Sequence, residues 1–546
     1  MENLSLKKEL IELFIKNNYL PSPDLLNAKN IDESFMFVLQ ELNSKNKDKP
    51  VVFNQDLFKL LTEENKKDLL VNWMEFEKAK VSSEKGQDKN IYESFLKVLK
   101  AEFSDKIPDL TEEPKIEKTI EPEKEFETNV LILKGYKETI KKRELKDFVY
   151  YYRARYESLK KILMNHIELQ NSVSIQKLKN PTEKKEVSLI GIISSKLKSK
   201  NKNTILQLED TTGTINVLIN KNRKELNDLA EDLVLDEVIG IKGVLDQNII
   251  FVNDLFLPDI PLDLKMKKCE DEVYAVFIGD VHLGLKQFLE EDFARFISFL
   301  NKEYGSKEQK EFASKIKYLF IVGDLVEGVG VYPGQEQDLQ IKDIYKQYEH
   351  LASYLVKIPK EIKIIVCGGN HDALRIAEPQ PIFDKKLAKS LYDIPNITMV
   401  TNPSVINIHA SANFSGFDIL MYHGYSFPFY ANEVQSIRSN GGQERIDLIM
   451  KFLLQRRHLA PTHTSNLYIP DPTQDSLVID RVPDFFVTGH LHKVCVTNYK
   501  NISCLNCSCW ASQTADMERR GIIPDPSKAI AVNLKTREVK IMSFAK

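Results

Sequence analysis

Cysteine is scarce in this sequence, and its scarcity excludes a disulfide-built scaffold. The chain has 546 residues and only six cysteines, too few to hold a protein of this length together by disulfides. A reducing compartment is the simpler expectation. We therefore predict a cytoplasmic protein.

Long apolar runs are also missing. No stretch approaches the ~20 apolar residues that a membrane-spanning helix requires. The N-terminal sequence MENLSLKKELIELFIKNN is amphipathic and lacks the apolar core and small-residue cleavage site of a secretory signal. The sequence thus predicts neither a membrane span nor a signal peptide.

An excess of positive charge, common in proteins that bind nucleic acids, is absent as well. There are 76 Lys and Arg residues against 79 Asp and Glu residues, for a formal net charge of −3. Any affinity for nucleic acid must then come from local patches, a metal centre or a partner chain. The hydrophobic content of 42% and charged content of 28% are those of a globular protein, and the length predicts two to four domains.

The N-terminal part of the chain predicts a helical module followed by a tether. Apolar residues recur three and four positions apart within residues 1–75, as in Leu10, Leu13 and Phe14. Residues 76–128 become charged and proline-punctuated, a composition that cannot bury enough apolar surface to fold. This flexible linker either lets the module reach a further protein or is a solvated spacer without a ligand.

The middle of the chain predicts a helical connector and a small barrel. Residues 129–180 contain an amphipathic helical pattern from Glu144 to Gln170. Residues 181–262 contain short β-like runs with one helical insertion at 224–233, typical of an OB-type barrel. The predicted strands are Val187–Ile193, Thr204–Leu208, Thr214–Ile219, Glu237–Val244 and Ile249–Val252. They contain few aromatic residues, so DNA binding and a purely structural role both stay open.

Residues 263–546 have the rhythm of an α/β sandwich, in which apolar runs end in Gly-Asp, Gly-Asn or Gly-His. Five of these runs are followed directly by oxygen or nitrogen donors, and such ligands gather at the carboxyl ends of strands. The donors are Asp280 and His282, Asp324, Asn370 and His371, His423, and His490 and His492.

Carboxylate, amide oxygen and imidazole together suit Mn²⁺, Fe²⁺, Zn²⁺ or Mg²⁺. Two such ions share a bridging carboxylate, clamp a phosphate and generate a hydroxide nucleophile. Taken singly, each motif has an ordinary structural interpretation, such as a turn or a core histidine. All five in this order predict a two-metal phosphoesterase centre.

A second candidate metal site is the group Cys504, Cys507 and Cys509. Structural zinc would require a fourth ligand, for which Cys495 is the nearby candidate. Buried cysteines on a strand are the favoured interpretation.

The order and spacing of the five motifs resemble the calcineurin-like metallophosphoesterase superfamily. The resemblance implies that Asp280, His282, Asp324 and His492 hold one metal and that Asp324 bridges to a second, held also by Asn370, His423 and His490. It implies His371 as general acid or transition-state stabiliser, with Asp372 orienting its ring. The chain departs from the Gly-Asp-x-x-Asp-Arg motif, because Gly323-Asp-Leu-Val-Glu-Gly328 lacks the arginine.

Longer motifs resemble the small subunits of archaeal family D DNA polymerases. They are Gly323-Asp-Leu-Val-Glu-Gly-Val-Gly-Val-Tyr-Pro-Gly-Gln-Glu336, Gly369-Asn-His-Asp-Ala-Leu-Arg-Ile-Ala-Glu-Pro-Gln-Pro381 and Arg457-His-Leu-Ala-Pro-Thr462. The resemblance covers roughly residues 140–546. It implies a multi-domain fold, in which a four-layer phosphoesterase sandwich with two mixed sheets follows the OB-type barrel and the N-terminal helical module.

In that family the small subunit supplies the proofreading 3′–5′ exonuclease, while a separate large subunit polymerises. The resemblance therefore implies two divalent ions, for which Mn²⁺ fits well, and a nucleoid-associated protein that binds the large subunit and the 3′ ends of primer-template and single-stranded DNA. It also makes another replication factor, such as a sliding clamp, a candidate for the protein that the N-terminal module reaches through the linker at 76–128. Single-stranded ends are favoured, because unzipping a paired end costs about 1.4 kcal/mol per step. Arg375 and Arg457 either contact substrate phosphates or form structural ion pairs. The alternatives are a non-catalytic scaffold subunit and a phosphomonoesterase of the same superfamily.

Overall fold

The structure, a computed structural model, describes residues 129–138, 142–178, 183–519 and 521–546. It also describes the backbone of two short parallel strands, β1 (Leu20–Pro21) and β2 (Val52–Phe53). The rest of the predicted helical module at 1–75 and the predicted linker at 76–128 lie outside the described residues. The chain divides into two units, residues 1–123 and 124–546, and the features below all belong to the second.

The predicted barrel is confirmed. Five strands close in the order β4-β5-β6-β8-β7, and the apolar side chains of alternate positions, such as Leu189, Leu208 and Val217, fill the interior. The strands are β4 (Lys185–Lys198), β5 (Thr204–Asp210), β6 (Gly213–Ile219), β7 (Val238–Asp246) and β8 (Ile249–Phe256). Helix α2 (Lys224–Glu231) connects β6 to β7.

Helix α1 (Leu145–Leu163) packs on the outside of the barrel. It begins with a capping box, in which the side chain of Glu144 accepts from the backbone of Asp147 and the side chain of Asp147 accepts from the backbone of Glu144. Its buried side includes Tyr156, Leu159 and Leu163, spaced three and four apart as predicted. Two 3₁₀ turns, Ile167–Leu169 and Ile175–Leu178, lead from the helix to β4.

Two mixed six-stranded sheets form the centre of the remaining domain. The first has the order β12-β11-β10-β9-β18-β19, with strands β9 (Tyr274–Ile278), β10 (Ile316–Val322), β11 (Lys363–Cys367), β12 (Ile397–Met399), β18 (Lys528–Asn533) and β19 (Val539–Ser543). The second has the order β16-β17-β15-β14-β13-β3, with strands β3 (Val130–Lys134), β13 (Ser404–Ile408), β14 (Phe417–Met421), β15 (Phe485–Thr488), β16 (Cys495–Tyr499) and β17 (Ile502–Asn506).

Helices cover the outer faces of both sheets, which gives the predicted four layers. Phe277 of the first sheet and Phe485 of the second meet in the core between the sheets, with ring centroids 6.1 Å apart. The central strands are mostly apolar, apart from residues such as Lys317 and Asp418, as expected where both faces of a strand are buried. The helices are α3 (Glu290–Leu300), α4 (Lys307–Ser314), α5 (Ile344–Leu355), α6 (Lys389–Tyr392), α7 (Phe427–Glu433), α8 (Gln435–Ser439), α9 (Ile446–Arg456) and α10 (Ala515–Arg519), with 3₁₀ turns at Gln335–Gln337 and Gly442–Glu444.

Strand β3 was not expected, because it lies at the start of the segment predicted as a helical connector. It pairs antiparallel with β13 and forms the edge of the second sheet. The ammonium group of Lys134 donates to Val478 O at 2.8 Å and to Asp480 Oδ1 at 2.9 Å, which fastens the end of the strand. The second sheet therefore takes a strand from the part of the chain that precedes the barrel.

Among the described residues, none of the helices combines the length and apolarity needed to cross a membrane.

Candidate metal centre

The predicted donors meet at one edge of the two sheets. Strands β9, β10 and β11 of the first sheet and β14 and β15 of the second each end within three residues of a predicted ligand. Their ligand atoms form groups, and within each group these atoms lie within 4.8 Å of one another. Two of the groups consist entirely of predicted ligands. The two are Asp280 with His282 and His492, and Asp324 with His423 and His490.

The backbone at this edge is bent into an unusual conformation. Five of the predicted ligands have positive φ angles between 47° and 70°, namely Asp280, His282, Asp324, His490 and His492. Left-handed backbone costs a non-glycine residue roughly 1–2 kcal/mol, and such strain concentrates at functional sites. Gly489 makes room for one turn, since a Cβ there would lie 2.4 Å from Asp280 Oδ2. The conformation that directs these side chains inward therefore lowers the stability of the fold.

In the first group, His492 Nε2 lies 3.0 Å from His282 Nε2 and 3.4 Å from Asp280 Oδ1. All three side chains are buried. The opposite nitrogen of His282, Nδ1, donates to Glu327 Oε2 at 2.8 Å, because a carboxylate oxygen accepts and does not donate. The lone pair of His282 Nε2 therefore faces the other ligands.

In the second group, His423 Nδ1 donates to Val322 O at 3.1 Å, which likewise leaves the lone pair on Nε2. That nitrogen lies 3.2 Å from Asp324 Oδ2 and 3.0 Å from Asn370 Oδ1. His490 Nδ1 lies 3.3 Å from the same nitrogen. A lone pair that faces a carboxylate oxygen requires a proton or a metal ion between them.

Asp324 stands between the two groups. Its Oδ2 atom is 3.2 Å from His423 Nε2 in one group and 3.8 Å from His282 Nε2 in the other. Ligands about 2.1 Å from an ion in octahedral coordination are themselves about 3 Å apart, which matches the separations above. The residues present therefore fit divalent metal ions, and Asp324 lies between the two groups.

The pKa values of the histidines also indicate that the space beside Asp324 requires a positive charge. Burial lowers the pKa of His423, but the carboxylate of Asp324 outweighs burial and raises it to about 10. Without a metal, a proton therefore occupies the space between these two groups. His490 and His492 behave oppositely, because burial and neighbouring histidines lower their pKa values. They keep neutral rings, the form that binds metals.

His371 faces the same centre, and Glu327 controls its ring. His371 Nδ1 lies 3.1 Å from the backbone oxygen of Glu327 and 3.4 Å from its Oε2 atom. Burial lowers the pKa of His371, but Asp324 and Glu327 outweigh burial and raise it to about 9. Glu327 thus contacts both His282 and His371. The sequence analysis missed this residue, although it occupies the second acidic position of the Gly-Asp-x-x-Asp motif.

The predicted role of Asp372 is wrong. Its carboxylate does not contact the His371 ring but accepts from the backbone N–H of Gly369 at 2.9 Å and of Leu325 at 3.2 Å. Tyr348 Oη donates to it at 3.3 Å. Asp372 therefore clamps the Gly-Asp turn after β10 to the Gly-Asn-His-Asp turn after β11, and Glu327 has the orienting role.

Both arginines have contacts of the structural kind that the sequence analysis gave as one alternative. Arg457 is buried, and its guanidinium donates to Ile479 O at 2.6 Å and to Asp480 O at 3.0 Å. Arg375 donates to Pro379 O at 2.7 Å and forms an ion pair with Glu138. Neither side chain is among the residues that line the metal cleft.

The cysteines have no part in these groups. Cys504 lies in β17, and Cys507 and Cys509 follow it; all three are buried. Among the described residues, the groups close enough to hold an ion contain no cysteine.

A buried polar scaffold beneath the centre was also missed. Gln380 Nε2 donates to Gly369 O at 3.0 Å, and Asn402 Nδ2 donates to Gln380 Oε1 at 2.7 Å. Asn402 Oδ1 in turn accepts from the backbone N–H of His423 at 2.9 Å. This chain of hydrogen bonds connects the turn after β11 to the turn after β14, across the two sheets.

The centre opens into a cleft with a volume of about 430 Å³. Tyr332 lines it near His371, with ring centroids 6.3 Å apart, and Tyr425 lines it near His490, at 5.5 Å. The rest of the lining combines apolar residues, such as Ile376, Pro428 and Phe429, with polar ones, such as Gln443 and Ser465. The cleft therefore offers candidate cation ligands beside walls that carry aromatic, apolar and polar side chains.

Known families match both domains. Residues 274–494 match the calcineurin-like phosphoesterase family, and residues 187–249 match the family described as an OB-fold nucleic acid binding domain. The first range contains every predicted ligand, and the second contains most of the barrel.

Curated relatives match over most of the chain. The DNA polymerase II small subunit of Methanothermobacter thermautotrophicus is 37% identical over 74% of this chain and 80% of the relative. That of Archaeoglobus fulgidus is 35% identical over 84% and 88%, respectively. The Pyrococcus furiosus protein of the same name is 39% identical over 72% of this chain, which spans 63% of that longer relative.

These matches confirm the predicted resemblance to polymerase small subunits. The chain belongs to the family of DNA polymerase II small subunits and carries a calcineurin-like phosphoesterase domain.

Proposed function

We propose that this chain is the 3′–5′ exonuclease subunit of a DNA polymerase and removes nucleotides from 3′ ends with two divalent metal ions. The observation that carries the proposal is the convergence of ring lone pairs and carboxylate oxygens around Asp324. The set includes Asp280, His282 and His492 on one side and Asn370, His423 and His490 on the other.

Bound ions would supply Lewis-acid polarisation of a phosphate and an activated water nucleophile. Mixed oxygen and imidazole ligands suit Mn²⁺, and also Mg²⁺, Fe²⁺ or Zn²⁺. Glu327 fixes the His282 ring so that Nε2 faces the centre. Asp372 holds the two turns that carry Asp324 and Asn370 at a constant separation.

His371 is suited to hold a proton beside the substrate phosphate. Its Nδ1 faces Glu327, which leaves Nε2 as the ring atom available to the cleft. Because the pKa of His371 is raised to about 9, the ring is cationic at neutral pH. A cationic ring stabilises charge on the phosphate and donates its Nε2 proton to the departing oxygen.

The walls of the cleft favour a nucleotide over a small phosphomonoester. Tyr332 and Tyr425 present aromatic rings close to His371 and His490, and Phe429 also lines the cleft. Aromatic rings stack on bases of any sequence, whereas a small aliphatic phosphomonoester would leave them without a partner. The family name adds that relatives act within a DNA polymerase, for which DNA is the substrate.

The name of the relatives also implies a larger partner. A small subunit binds a large subunit, and we expect the large subunit to polymerise. The formal net charge of −3 provides few surplus cations for DNA, so the isolated chain should be a weaker nuclease than the complex. Equal activity of the chain with and without the large subunit would contradict this expectation.

The test is degradation of a single-stranded oligonucleotide in the presence of Mn²⁺. We expect release of nucleoside monophosphates from the 3′ end, and hydrolysis of bis-p-nitrophenyl phosphate in preference to p-nitrophenyl phosphate. Preference for the monoester would favour a phosphomonoesterase. If the wild type and Asp324→Asn leave both DNA and the diester intact and bind no stoichiometric metal, the chain is a scaffold.

A further inference from the structure

A second groove lies between the barrel and the phosphoesterase domain and adjoins the metal cleft. Its volume is about 620 Å³. The barrel contributes lining residues from β4 and from the segment that follows α2, and α7 contributes Phe429 and Glu433. Phe429 lines the metal cleft as well, so the two cavities share a side chain. The barrel residues are Ser194, Ser195, Lys196, Leu197, Lys198, Glu231, Leu233, Val234 and Leu235.

We propose that this groove binds single-stranded DNA immediately 5′ of the nucleotide held in the metal cleft. This inference rests on the proposed function, because it assumes that a 3′ end reaches the metal centre. The rest of that strand must leave the cleft, and the groove begins where the cleft ends, at Phe429.

The polar groups of the groove suit a sugar-phosphate backbone. Ser195 and Thr464 supply hydroxyl groups, which bind phosphate and sugar oxygens. The Lys196 ammonium donates to Glu231 O and Leu233 O at 2.6 and 2.7 Å, and one of its three N–H groups is left over. Because hydroxyls supply much of the contact, binding should depend on salt less steeply than in a cationic groove.

Charge in the groove is nearly balanced. Lys198 forms an ion pair with Glu231, which cancels one of the two carboxylates in the lining. Lys196 offsets the other, Glu433. The groove therefore does not repel a phosphate backbone, and its selectivity must come from shape and stacking.

Phe429, the aromatic residue of the groove, favours the groove over the β5–β6 face of the barrel as the site that binds DNA. OB barrels commonly bind oligonucleotides across their second and third strands, which are β5 and β6 here. Their sequences, TILQLED and GTINVLI, contain no aromatic residue, so bases have nothing to stack on. Phe429 supplies the missing ring from the neighbouring domain. The barrel side of the groove also lies within residues 187–249, the range matched by the OB-fold nucleic acid binding family.

The first experiment measures how the exonuclease KM depends on substrate length. The full chain with Mn²⁺ would degrade oligothymidylates of three to twelve nucleotides, and the wild type should show a KM that falls as the groove fills. Ser195→Trp and Thr464→Trp would block the groove and raise the KM for the 12-mer by about tenfold, the scale of one lost stacking contact. Hydrolysis of bis-p-nitrophenyl phosphate, which is too short to reach the groove, should not change.

Ser314→Trp is the matched control, since Ser314 is exposed on α4 and outside both cavities. It should behave like the wild type with every substrate. Two blocking variants on different elements guard against misfolding of either one.

A second experiment measures binding without cleavage, by fluorescence anisotropy of labelled oligothymidylate in EDTA. The 12-mer should bind the wild type about tenfold more tightly than it binds the Trp variants, while a 3-mer should not distinguish them. Equal affinity of all variants for the 12-mer would overturn the proposal and assign the groove to another occupant, such as a peptide. If the wild type cleaves neither DNA nor the diester, the proposed function fails, and the binding assay still decides the groove.

Discussion

Histidines and carboxylates are buried together in two regions of the described chain. The two regions differ in whether their hydrogen bonds and charges are satisfied within the protein. The first region surrounds Asp475, where the partners of the carboxylate are all donors. Tyr151 Oη, Arg155 Nε and His458 Nε2 donate to it at 2.7–2.9 Å. The remaining nitrogen of His458 accepts from the backbone N–H of Ala460 at 3.0 Å. Every group of this cluster therefore finds its complement within the protein.

The second region surrounds Asp324, where ring nitrogens face carboxylate and amide oxygens. His282 and His423 donate from Nδ1 to Glu327 and to Val322 O, so their Nε2 atoms point into the centre, where a proton or a metal ion must lie between them and the oxygens of Asp324. The same amino-acid types thus form a structural joint in one place and an ion-binding site in the other. What separates the two is whether the charges and hydrogen bonds balance without a ligand.

The largest expected effect tests the ion-binding side of this comparison. Asp324→Asn removes the bridging charge, and we expect exonuclease activity to fall about a thousandfold, because metals contribute several kcal/mol of transition-state stabilisation. Mn²⁺ at 100 times its Kd should stabilise the wild type by about 2.7 kcal/mol and the variant by less. Thermal unfolding with and without Mn²⁺ measures the second effect. If Asp324→Asn kept its exonuclease activity, Asp324 would have no essential role in the metal centre.

The matched substitution Asp475→Asn tests the structural side. It leaves Arg155 buried without a counter-charge, and breaking a buried pair costs about 3–5 kcal/mol. Urea denaturation should show this loss of stability, while the rate of bis-p-nitrophenyl phosphate hydrolysis per folded molecule stays at the wild-type value. A loss of activity without a loss of stability would show that the two clusters are not separate in function.

Glu327→Gln should give an intermediate effect on activity. Glu327 is not itself one of the predicted ligands, but it holds the rings of His282 and His371 in place. Residues that orient metal-binding histidines typically contribute 10- to 100-fold to activity or metal affinity. We expect a decrease in that range for both kcat and Mn²⁺ affinity, with partial recovery in Glu327→Asp. Arg375→Ala is the comparison variant and should keep its KM for oligonucleotides, because Arg375 is engaged with Pro379 O and Glu138.

The smallest expected effect is a pH dependence of stability from the structural cluster. Burial and the charge of Arg155 lower the pKa of His458 to about 4, against about 6.5 for an unfolded histidine. Between these pH values His458 is protonated in the unfolded chain but neutral in the native protein. The free energy of unfolding therefore falls as the pH drops from about 6.5 to about 4. Lys134 adds to the positive charge near the ring, and only Asp475 opposes it.

Urea denaturation across this pH range should give a slope that is shallower in His458→Gln by at most about 1.4 kcal/mol per pH unit. The carboxyl of Asp475, whose pKa lies below its usual range, adds a further loss only at lower pH. Parallel slopes for wild type and His458→Gln would mean that the ring is protonated in the native state.

The sequence predicted which candidate ligands come together because each is adjacent in the chain to the strand that positions it. Asp280 follows β9 and Asp324 follows β10, so an apolar run and a donor within a few residues carry the information. The barrel strands were predicted for a similar reason, since Thr204–Asp210 and Gly213–Ile219 form a hairpin around a recognisable turn.

Contacts between distant segments were beyond the sequence analysis. The guanidinium of Arg457 donates to the backbone carbonyls of Ile479 and Asp480, contacts that no local pattern reveals. Strand β3 has four apolar residues followed by Lys134, a short pattern that fits several assignments, and its partner β13 lies about 270 residues later. Asp372 was given a role by its position next to His371, yet neighbouring side chains on a tight turn point in different directions.

Strand β3 has a consequence for how the barrel is held. Because β3 and β9 belong to the two sheets of one sandwich, the chain leaves the sandwich after Lys134 and returns to it at Tyr274. The barrel is thus an insertion anchored at both ends, and a swing like that of a domain on a single hinge would strain both connections. A fragment that starts at residue 263 would lose β3 and expose the hydrogen-bonding groups of β13, an edge prone to aggregation.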